Sequence, residues 1–409
     1  MNILVLSDNY PPEMNANARI ISELLEHWAQ THPVTVLTCH PNFPRGRIFN
    51  THKNQWRQKT TLKGVEIIRL KTYMHPNTGF VRRSLDFFSF GFVSFFAGLF
   101  QKNVDIVIGV TPQFFSALSA CYLALIKKRP FVMILCDLWP DSIVANDVMK
   151  KNWLYRVLKK IEYWMYHKAA SIVILSRSFR KNLHQAGITD NKIFTSISGV
   201  SKQFYPRPKN PIILTHYNLT GKFVIGYIGS LGISHSHHDI LLLAESLRNT
   251  SSFPFHFLIL GDGVKRAELS QQKKDRGLDN VDIDGPFSAD RIPDYWSVID
   301  IAIVPLANTQ TNTTVLPSKI LEALGMGIPI VLYAPEGEAK KFLAETQAGW
   351  YVSVGDLIAL EKRCVELFMQ NTLISHKKKQ ALNVASQFTR EQQAGDLLAH
   401  LKTVYEAAK

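Results

Sequence analysis

Short apolar runs rich in β-branched residues alternate with longer amphipathic stretches along the first half of the chain. The first run, NILVLSD, is followed by an amphipathic segment at residues 18–29 that predicts a helix. The later runs are PVTVLTC, VEIIRL, VDIVIGV, PFVMILCD and SIVILS. Apolar strands separated by helices indicate a parallel sheet that is covered on both faces.

The pattern stops in a proline-rich polar segment, KQFYPRPKNPIILTHYNLTGK, which is typical of an interdomain linker. It restarts with FVIGYIGS, FHFLILGDG, NVDIDG, IDIAIVP and IPIVLYA. We therefore expect two doubly wound, Rossmann-like α/β domains, at residues 1–204 and 205–389. A final helix at residues 390–409 could pack on either domain. Ligands of such folds gather at the carboxyl ends of the strands.

Three segments of the first half are candidates for membrane contact. Residues 106–126 carry no charge, but Thr111-Pro112-Gln113 in their middle favours strand, loop and buried helix over a membrane span. In RRSLDFFSFGFVSFFAGLF, Arg82 and Arg83 precede a run that includes Phe87 and Phe88 and is too short to span. This run suits either a core helix or a helix lying on anionic lipid. Residues 150–168 predict a helix whose apolar stripe suits a core position and whose other faces are basic.

Charge separates the two halves. The 409 residues carry a formal net charge of +14, and residues 1–204 hold 26 Lys and Arg against 12 Asp and Glu. The remainder is balanced, so the first half predicts an anionic partner, either membrane lipid or nucleic acid, unless its basic loops serve only solubility. The four cysteines form no CxxC pair, and the chain opens directly on a strand. We expect a reducing, cytoplasmic compartment, no signal peptide and no structural zinc.

Glycine-bearing turns follow three strands of the second half. They are Gly229-Ser230-Leu231-Gly232, Gly261-Asp262-Gly263 and Gly285-Pro286-Phe287. Glycine lets the backbone approach a ligand closely, and exposed N–H groups at a helix start bind phosphate. One such turn is weak evidence, but three in one domain predict a phosphate-binding edge.

The stretch TTVLPSKILEALGMGIP carries the most specific chemistry. Pro317 and Ser318 predict a helix start that Ser318 could cap. Lys319 then lies in the first turn, where a cation is unfavourable against the helix dipole unless an anion lies nearby. A diphosphate would be such an anion, and Glu322, one turn further on, could accept hydrogen bonds from ribose. The alternative is a solvated Lys319 and an ordinary surface Glu322.

Together these motifs resemble family 4 of the retaining GT-B glycosyltransferases, in which two Rossmann-like domains face each other across a cleft. The resemblance rests on NYPPE, HPNFPRG, CDLWPDS, ISGVSKQFYP, YIGSLG, LILGDG, NVDIDG and LPSKILEALGMGIPIV, and it covers nearly the whole chain. It is strongest to the bacterial O-antigen and colanic acid branch of WbuB-like enzymes.

The resemblance implies roles for single positions. Glu322 matches the ribose-binding acid that ends the family's E-x7-E motif, whereas the leading acid falls at Thr314 and is missing. The family's phosphate-binding Arg and Lys fall at Ser230 and His235, so Lys319 is expected to be the main phosphate cation, assisted by His235. The expected donor-binding residues are Gly229, Ser230, Leu231, Gly261, Asp262, Gly263, Pro286, Leu316, Pro317, Ser318 and Glu322.

On the acceptor side, Asp137 matches the family's catalytic position, although a structural hydrogen bond would also explain a buried carboxylate there. Asn15 stands in the glycine pair that normally follows PPE, and Glu13 and Arg19 are expected to face the acceptor or the cleft. The run His235-Ser236-His237-His238 resembles a metal site but lacks a spaced carboxylate or cysteine partner. We expect a solvated loop with one phosphate-facing histidine, and no metal.

The expected activity is transfer of a sugar, with retention and without metal or cofactor, from a nucleotide donor to a lipid-linked saccharide at the inner face of the bacterial membrane. The donor is expected to be UDP-linked. Resemblance to the O-antigen and colanic acid branch suggests N-acetyl-L-fucosamine as its sugar. Two alternatives remain open: a sugar-nucleotide 2-epimerase of the same architecture, and a non-catalytic nucleotide- or nucleic-acid-binding protein. No nucleic-acid-binding motif of known type occurs in the sequence.

Overall fold

The computed structural model describes residues 1–409 except residues 14, 44–45, 76–79, 146–148 and 251–252, and except the side chains of residues 80, 81, 83, 145, 250 and 371. The chain forms two compact domains. The first comprises residues 1–198 together with 390–409, and the second comprises residues 199–389.

The first domain is built on an eight-stranded sheet. Its strands are β1 (Ile3–Leu6), β2 (Val34–Cys39), β3 (Arg57–Leu62), β4 (Val65–Leu70), β5 (Ile106–Val110), β6 (Phe131–Leu135), β7 (Ser171–Ile174) and β8 (Ile193–Thr195). The order is β3-β4-β2-β1-β5-β6-β7-β8, and all neighbours are parallel except the antiparallel pair of β3 and β4. The inner strands are buried along their whole length, which explains their continuous apolar sequences.

Six helices of the first domain lie between these strands. They are α1 (Ala16–Trp28), α2 (Phe80–Leu99), α3 (Phe114–Lys127), α4 (Asp141–Ala145), α5 (Trp153–Lys168) and α6 (Phe179–Gln185). Residues 106–126 form β5 and most of α3, as predicted. No helix within the described residues is both long enough and apolar enough to cross a bilayer.

Helices α2 and α3 pack with almost no space between their backbones. A Cβ at Gly91 would lie 2.8 Å from the Cβ of Phe115, and one at Gly98 would lie 2.4 Å from a methyl carbon of Leu123. The hydroxyl of Ser119 donates to the Gly91 carbonyl at 2.6 Å. This close approach fixes which face of α2 is covered by α3 and therefore which face remains open.

The second domain has a six-stranded, all-parallel sheet. Its strands are β9 (Phe223–Ile228), β10 (Phe255–Leu260), β11 (Val281–Asp284), β12 (Ile301–Pro305), β13 (Ile330–Ala334) and β14 (Gly349–Ser353), in the order β11-β10-β9-β12-β13-β14. Its helices are α7 (Pro211–His216), α8 (His237–Thr250), α9 (Arg266–Asp275), α10 (Ile292–Trp296), α11 (Ser318–Gly325), α12 (Glu338–Thr346), α13 (Leu357–Met369) and α14 (Asn371–Gln387).

The predicted linker at residues 202–222 is wrong, because this segment is part of the second domain. Phe204, Ile213, Tyr217 and Leu219 are all buried in that domain's core, and residues 211–216 form α7. Only a few apolar residues, separated by prolines and polar residues, anchor this segment in the core. Its composition is therefore similar to that of a linker.

The final helix, α15 (Arg390–Ala407), packs on α1 of the first domain. The indole nitrogen of the fully buried Trp28 donates to the Ala394 carbonyl at 2.8 Å. Arg390 is 6% exposed and donates through Nε to Glu23 at 2.8 Å, and Leu397 is completely buried. The helix that the sequence left unassigned therefore completes the core of the first domain.

Candidate functional site

Three glycine turns lie side by side at the carboxyl ends of β9, β10 and β11. A Cβ at Gly261 would lie 1.8 Å from the carbonyl oxygen of Gly229, and one at Gly285 would lie 2.9 Å from the carbonyl oxygen of Gly261. These residues must therefore be glycine for adjacent turns to touch. The result is an exposed row of backbone at the sheet edge where such folds bind ligands.

Hydrogen bonds hold these turns in one shape. The amide of Leu231 donates to the Asp262 carbonyl at 2.9 Å, and the Asp262 carboxylate accepts from the Gly263 amide at 2.9 Å. The hydroxyl of Tyr227, a fully buried residue of β9, donates to the Ser230 carbonyl at 2.6 Å. The turn containing Ser230 and Leu231 is therefore tied to both its own strand and its neighbour.

Lys319 reaches into this row from the first turn of α11. Its Nζ lies 2.7 Å from Nε2 of His235 and 5.0 Å from the ring centroid of Tyr227. Its Cε lies 2.9 Å from where a Cβ of Gly229 would be. The hydrogen-bond partner of its ammonium is therefore a histidine ring and not a carboxylate. Burial lowers the pKa of its ammonium to about 8, against a partial opposing effect of Glu322.

No side chain caps the start of α11. Pro317 is the N-cap in an extended conformation, and the predicted cap by Ser318 is absent because Ser318 is already the first helical residue. The first-turn amides next to Lys319 are thus left without a side-chain acceptor in the described structure, a geometry suited to an anion. Leu316 packs against the domain core just before this point.

Glu322 lies one turn after Lys319 on α11 and is partly buried. Its Oε2 accepts a hydrogen bond of 3.4 Å from the indole nitrogen of Trp296 at the end of α10. Trp296 is 1% exposed and fixed by the core, so it orients the carboxylate. Pro286, by contrast, is exposed after the third glycine turn.

The histidine run divides into buried and exposed members. His235 forms an antiparallel bridge with Leu306, and its ring stacks on that of His237 with centroids 5.3 Å apart. His237 is 2% exposed, whereas His238 is exposed and pairs with Gln272 at 2.9 Å. The prediction of a solvated loop is therefore wrong for His237, because this residue opens α8 and turns inward. Within the described chain, no three His, Cys, Asp or Glu side chains group as a metal site.

The partly buried His235 and the buried His237 are both neutral. Burial and the neighbouring Lys319 ammonium lower the pKa of His237 to about 3, and the same two causes, with a smaller effect of His237, lower the pKa of His235 further. Tyr227 meets both rings edge-on, at centroid distances of 5.7 Å to His235 and 4.7 Å to His237. The cluster of Tyr227, His235, His237 and Lys319 thus carries one positive charge, on the lysine.

Sequence reasoning missed Tyr227 and Trp296 in this site, and it named His237 only as a member of a solvated loop. Each is an aromatic ring at or beyond the end of an apolar element, a pattern that usually marks the core. The available signal was position, since Tyr227 lies two residues before Gly229 and His237 opens the helix after the same turn. The structure brings together the glycine turns, Lys319, His235 and Glu322, all of which the sequence had singled out.

In the first domain, Glu13 and Asn15 hold loops in place. The Glu13 carboxylate is 4% exposed and accepts from the amides of Asn42 and Phe43, both at 2.8 Å. Burial raises its pKa to about 7. Asn15 is the N-cap of α1 and accepts from the Ala18 amide at 2.7 Å. Arg19 is half-buried in the next turn of the helix. An acceptor-binding role for these residues stays a prediction.

Asp137 follows β6 and is half-buried at the carboxyl end of the sheet. Its Oδ1 accepts from the Leu138 amide at 2.8 Å, and Ser142 hydrogen-bonds to the same carboxylate. Burial raises the pKa of Asp137, against the lowering effect of these bonds. A carboxylate with a raised pKa is a stronger proton acceptor than an ordinary aspartate, and a catalytic role for Asp137 stays a prediction that its geometry permits.

Four exposed phenylalanines and one exposed leucine form a row along the face of α2 that α3 does not cover. We call this row the aromatic ridge. It is spaced at three and four residues, and its members are 46–78% exposed: Leu85, Phe88, Phe92, Phe96 and Phe100. Of the predicted membrane residues, Phe88 is in the ridge, Phe87 is half-buried and Arg82 is exposed near His75. The side chain of Arg83 lies outside the described residues.

Comparison with known proteins agrees with this architecture. Residues 17–195 match the family model described as glycosyl transferase 4-like domain, and residues 222–370 match the one described as glycosyl transferases group 1. The two matches together span most of the chain, one in each domain. The protein belongs to the glycosyltransferases.

Two similar sequences come from bacterial polysaccharide pathways. The chain is 26% identical to an Escherichia coli K12 protein named as a colanic acid biosynthesis glycosyl transferase, WcaI, over 96% of this chain and 99% of the relative. It is also 26% identical to a Bacillus subtilis protein named as a teichuronic acid biosynthesis glycosyltransferase, TuaH, over 48% of each chain.

Solved structures show the same fold. Sucrose-phosphate synthase from Thermosynechococcus elongatus aligns with a TM-score of 0.79 at 14% identity, over 99% of both chains. Anabaena HepE, solved in complex with UDP, aligns with a TM-score of 0.71 at 17% identity, over 98% of this chain and all of that one. The fold is GT-B, with two Rossmann-like domains, as predicted.

Proposed function

We propose that this glycosyltransferase moves a sugar from a UDP-linked donor to a lipid-linked saccharide during synthesis of a bacterial surface polysaccharide. One observation carries the donor part: the partly buried Lys319 ammonium pairs with a neutral histidine and lies beside an uncapped helix start and a row of glycine turns. Desolvation makes this ammonium costly and Glu322 offsets the cost only in part, so the negative charge of a diphosphate would stabilise it further.

The residues of the site suit the departure of a nucleoside diphosphate. Negative charge gathers on the leaving oxygen as the bond to the sugar weakens, and preorganised donors aimed at that oxygen lower the barrier. Lys319 and the first-turn amides of α11 are such donors, and Glu322, held by Trp296, would accept from the ribose hydroxyls. HepE, which has the same fold, was solved with UDP and with UDP-glucose, which supports a uridine nucleotide here.

Retention of configuration follows from the family resemblance. At the position of the family's leading acid, the hydroxyl of Thr314 donates to the Thr311 carbonyl at 2.9 Å. A double-displacement mechanism needs a carboxylate nucleophile, and the Thr314 hydroxyl is not one. We therefore do not propose a covalent intermediate at Thr314. Asp137 is the group proposed to orient or deprotonate the acceptor hydroxyl.

The lipid-linked acceptor rests on the first domain. Its excess of basic residues and the aromatic ridge of α2 together suit the surface of an anionic bilayer, where lipid-linked sugars reside. Relatives named for colanic acid and teichuronic acid synthesis support a surface-polysaccharide role. A peripheral position on the inner membrane face and the WbuB-like branch remain part of the proposal.

A nucleotide screen tests the donor assignment. Purified protein is titrated calorimetrically with UDP-, GDP-, dTDP- and ADP-sugars, and we expect binding of the UDP class. Glu322→Ala should weaken that binding by about 10- to 100-fold through loss of charge-assisted hydrogen bonds. Glu336→Ala is the matched control, because Glu336 is an exposed acid of the same domain that pairs only with Lys340 among the described residues. Absence of binding by every nucleotide sugar to the folded protein would contradict the proposal.

A further inference from the structure

The contact between Lys319 and His235 fixes the protonation state of the histidine. An ammonium can only donate, so at 2.7 Å the Nε2 of His235 must be the acceptor. A histidine that accepts through Nε2 is neutral and carries its proton on Nδ1. In the described structure this Nδ1 has no hydrogen-bond partner. Burial disfavours a charged His235, and the Lys319 N–H also occupies the Nε2 lone pair that a second proton would need.

The groups facing His235 from each packed element are few. Lys319 and, behind it, Glu322 come from α11, Tyr227 comes from β9, and His237 comes from α8. The end of β12 contributes only the backbone of Leu306. Neither ring nitrogen of His237 has a hydrogen-bond partner in the described part of the chain. Lys319 is the one cation among these groups. An anionic ligand could draw its ammonium away from His235.

We propose that His235 takes up one proton when the diphosphate of a nucleotide sugar binds beside Lys319. The inference rests on the proposed donor site. An N–H of Lys319 turns from His235 to a phosphate oxygen, which leaves the Nε2 lone pair of His235 facing an anion. That lone pair then accepts a proton from solvent, and no other bond is made or broken. The imidazolium becomes a second charged donor at the site.

Lowered pKa values of the free site are consistent with this exchange. Burial and Lys319 depress the pKa of His235 and His237 before the ligand arrives, so neither ring is charged at pH 6.5. Lys319, whose pKa is about 8, is already protonated at that pH and contributes no uptake of its own. Proton uptake on binding at pH 6.5 therefore does not come from Lys319, and a His235 variant assigns it.

Calorimetry in two buffers of different ionisation enthalpy counts this proton. The probe is UDP-glucose, or whichever nucleotide sugar binds best in the screen above, because its diphosphate has no proton of its own to lose near pH 6.5. We expect uptake of about one proton by the unaltered protein. His235→Gln should abolish the uptake while binding persists at reduced affinity. His238→Gln is the matched control, since His238 is the exposed member of the same run, and its uptake should stay at about one.

A second measurement needs no variant. The complex holds more protons than the free protein, so affinity should rise as the pH falls from 7 to 6, by up to about tenfold. Binding without proton uptake, uptake that persists in His235→Gln, or affinity that is flat between pH 7 and 6 would each overturn this inference and leave the donor site standing. Failure of every nucleotide sugar to bind would remove the proposed function and this inference with it.

Discussion

At the scale of single residues, the pKa of Lys319 predicts how donor binding depends on pH. Only the ammonium form can pair with a diphosphate, and its pKa in the free site is about 8. The contribution of Lys319 to affinity should therefore be complete well below pH 8 and should be lost as the pH rises above it. Titration of a UDP-sugar at pH 7, 8 and 9 measures the effect. Affinity that does not change between pH 7 and 9 would contradict the role of Lys319.

Two variants of Lys319 separate charge from shape. Lys319→Met should lower donor affinity by about 10- to 100-fold, since charge-assisted hydrogen bonds to phosphate are lost while the apolar stem is kept. In Lys319→Arg the side chain stays charged at every accessible pH. The donor affinity of this variant should therefore not fall above pH 8, whether it is higher or lower than that of the unaltered protein. Thermal unfolding of both variants checks that the domain remains folded.

The sequence revealed the charged half of the site and concealed the aromatic half. Lys319 and Glu322 could be predicted because a cation in the first turn of a helix conflicts with the helix dipole and calls for an anion. The partner of Lys319, His235, is 84 residues away in the chain, and no local pattern predicts a contact of that separation. Tyr227 and Trp296 could not be predicted because buried aromatic rings in apolar segments have the same pattern whether or not they face a ligand.

At the scale of elements, the stability of the second domain should depend on the absence of a side chain at Gly261 in the glycine turns. Gly261→Ala would place a Cβ 1.8 Å from the Gly229 carbonyl, a backbone atom that cannot move aside without distorting β9. We expect a loss of at least about 2 kcal/mol in the free energy of unfolding of the second domain, and weaker donor binding. Urea unfolding measures the first effect.

Gly395→Ala is the control for this substitution. Gly395 lies in α15, and a Cβ there would meet nothing within 4 Å. Alanine favours a helix over glycine by up to about 1 kcal/mol, so this variant should be as stable as the unaltered protein or more so. Equal destabilisation by both substitutions would show that close contact between the turns is not the cause.

The buried strands with a continuous apolar sequence were predicted, as was the half-buried edge strand β11, but β3, β8 and β14 were not. β3 is mostly exposed and pairs antiparallel at the sheet edge, so RQKTTL lacks any apolar run. β8 has only three residues. β14 is an edge strand of the second domain's sheet and is only partly buried. Edge strands gain their partner from tertiary structure, and their own sequence carries little of that information.

At the scale of the whole molecule, the charge excess of residues 1–204 and the aromatic ridge predict salt-sensitive membrane binding. Electrostatic attraction brings the protein to an anionic surface, and buried aromatic rings retain it there. We expect co-flotation with vesicles containing phosphatidylglycerol, weaker binding in 0.5 M salt, and little binding to neutral vesicles.

Variants of the ridge test which surface is responsible. Phe92→Ser combined with Phe96→Ser should reduce flotation several-fold, because both rings are about half exposed and contact each other. Ile358→Ser is the control, since Ile358 is 83% exposed and belongs to the second domain, whereas the ridge belongs to the first. Equal flotation of the ridge variant and the control would show that α2 does not contact the membrane.

The packing of α15 on α1 also has a consequence for biosynthesis. Residues 390–407 complete the first domain, yet the ribosome makes them after all of residues 199–389. Until they emerge, Trp28 has no Ala394 carbonyl to pair with, and the surface of α1 that α15 covers remains open to water. The first domain to be translated is therefore the last to be finished, and the nascent chain must keep that surface from aggregating while the second domain folds.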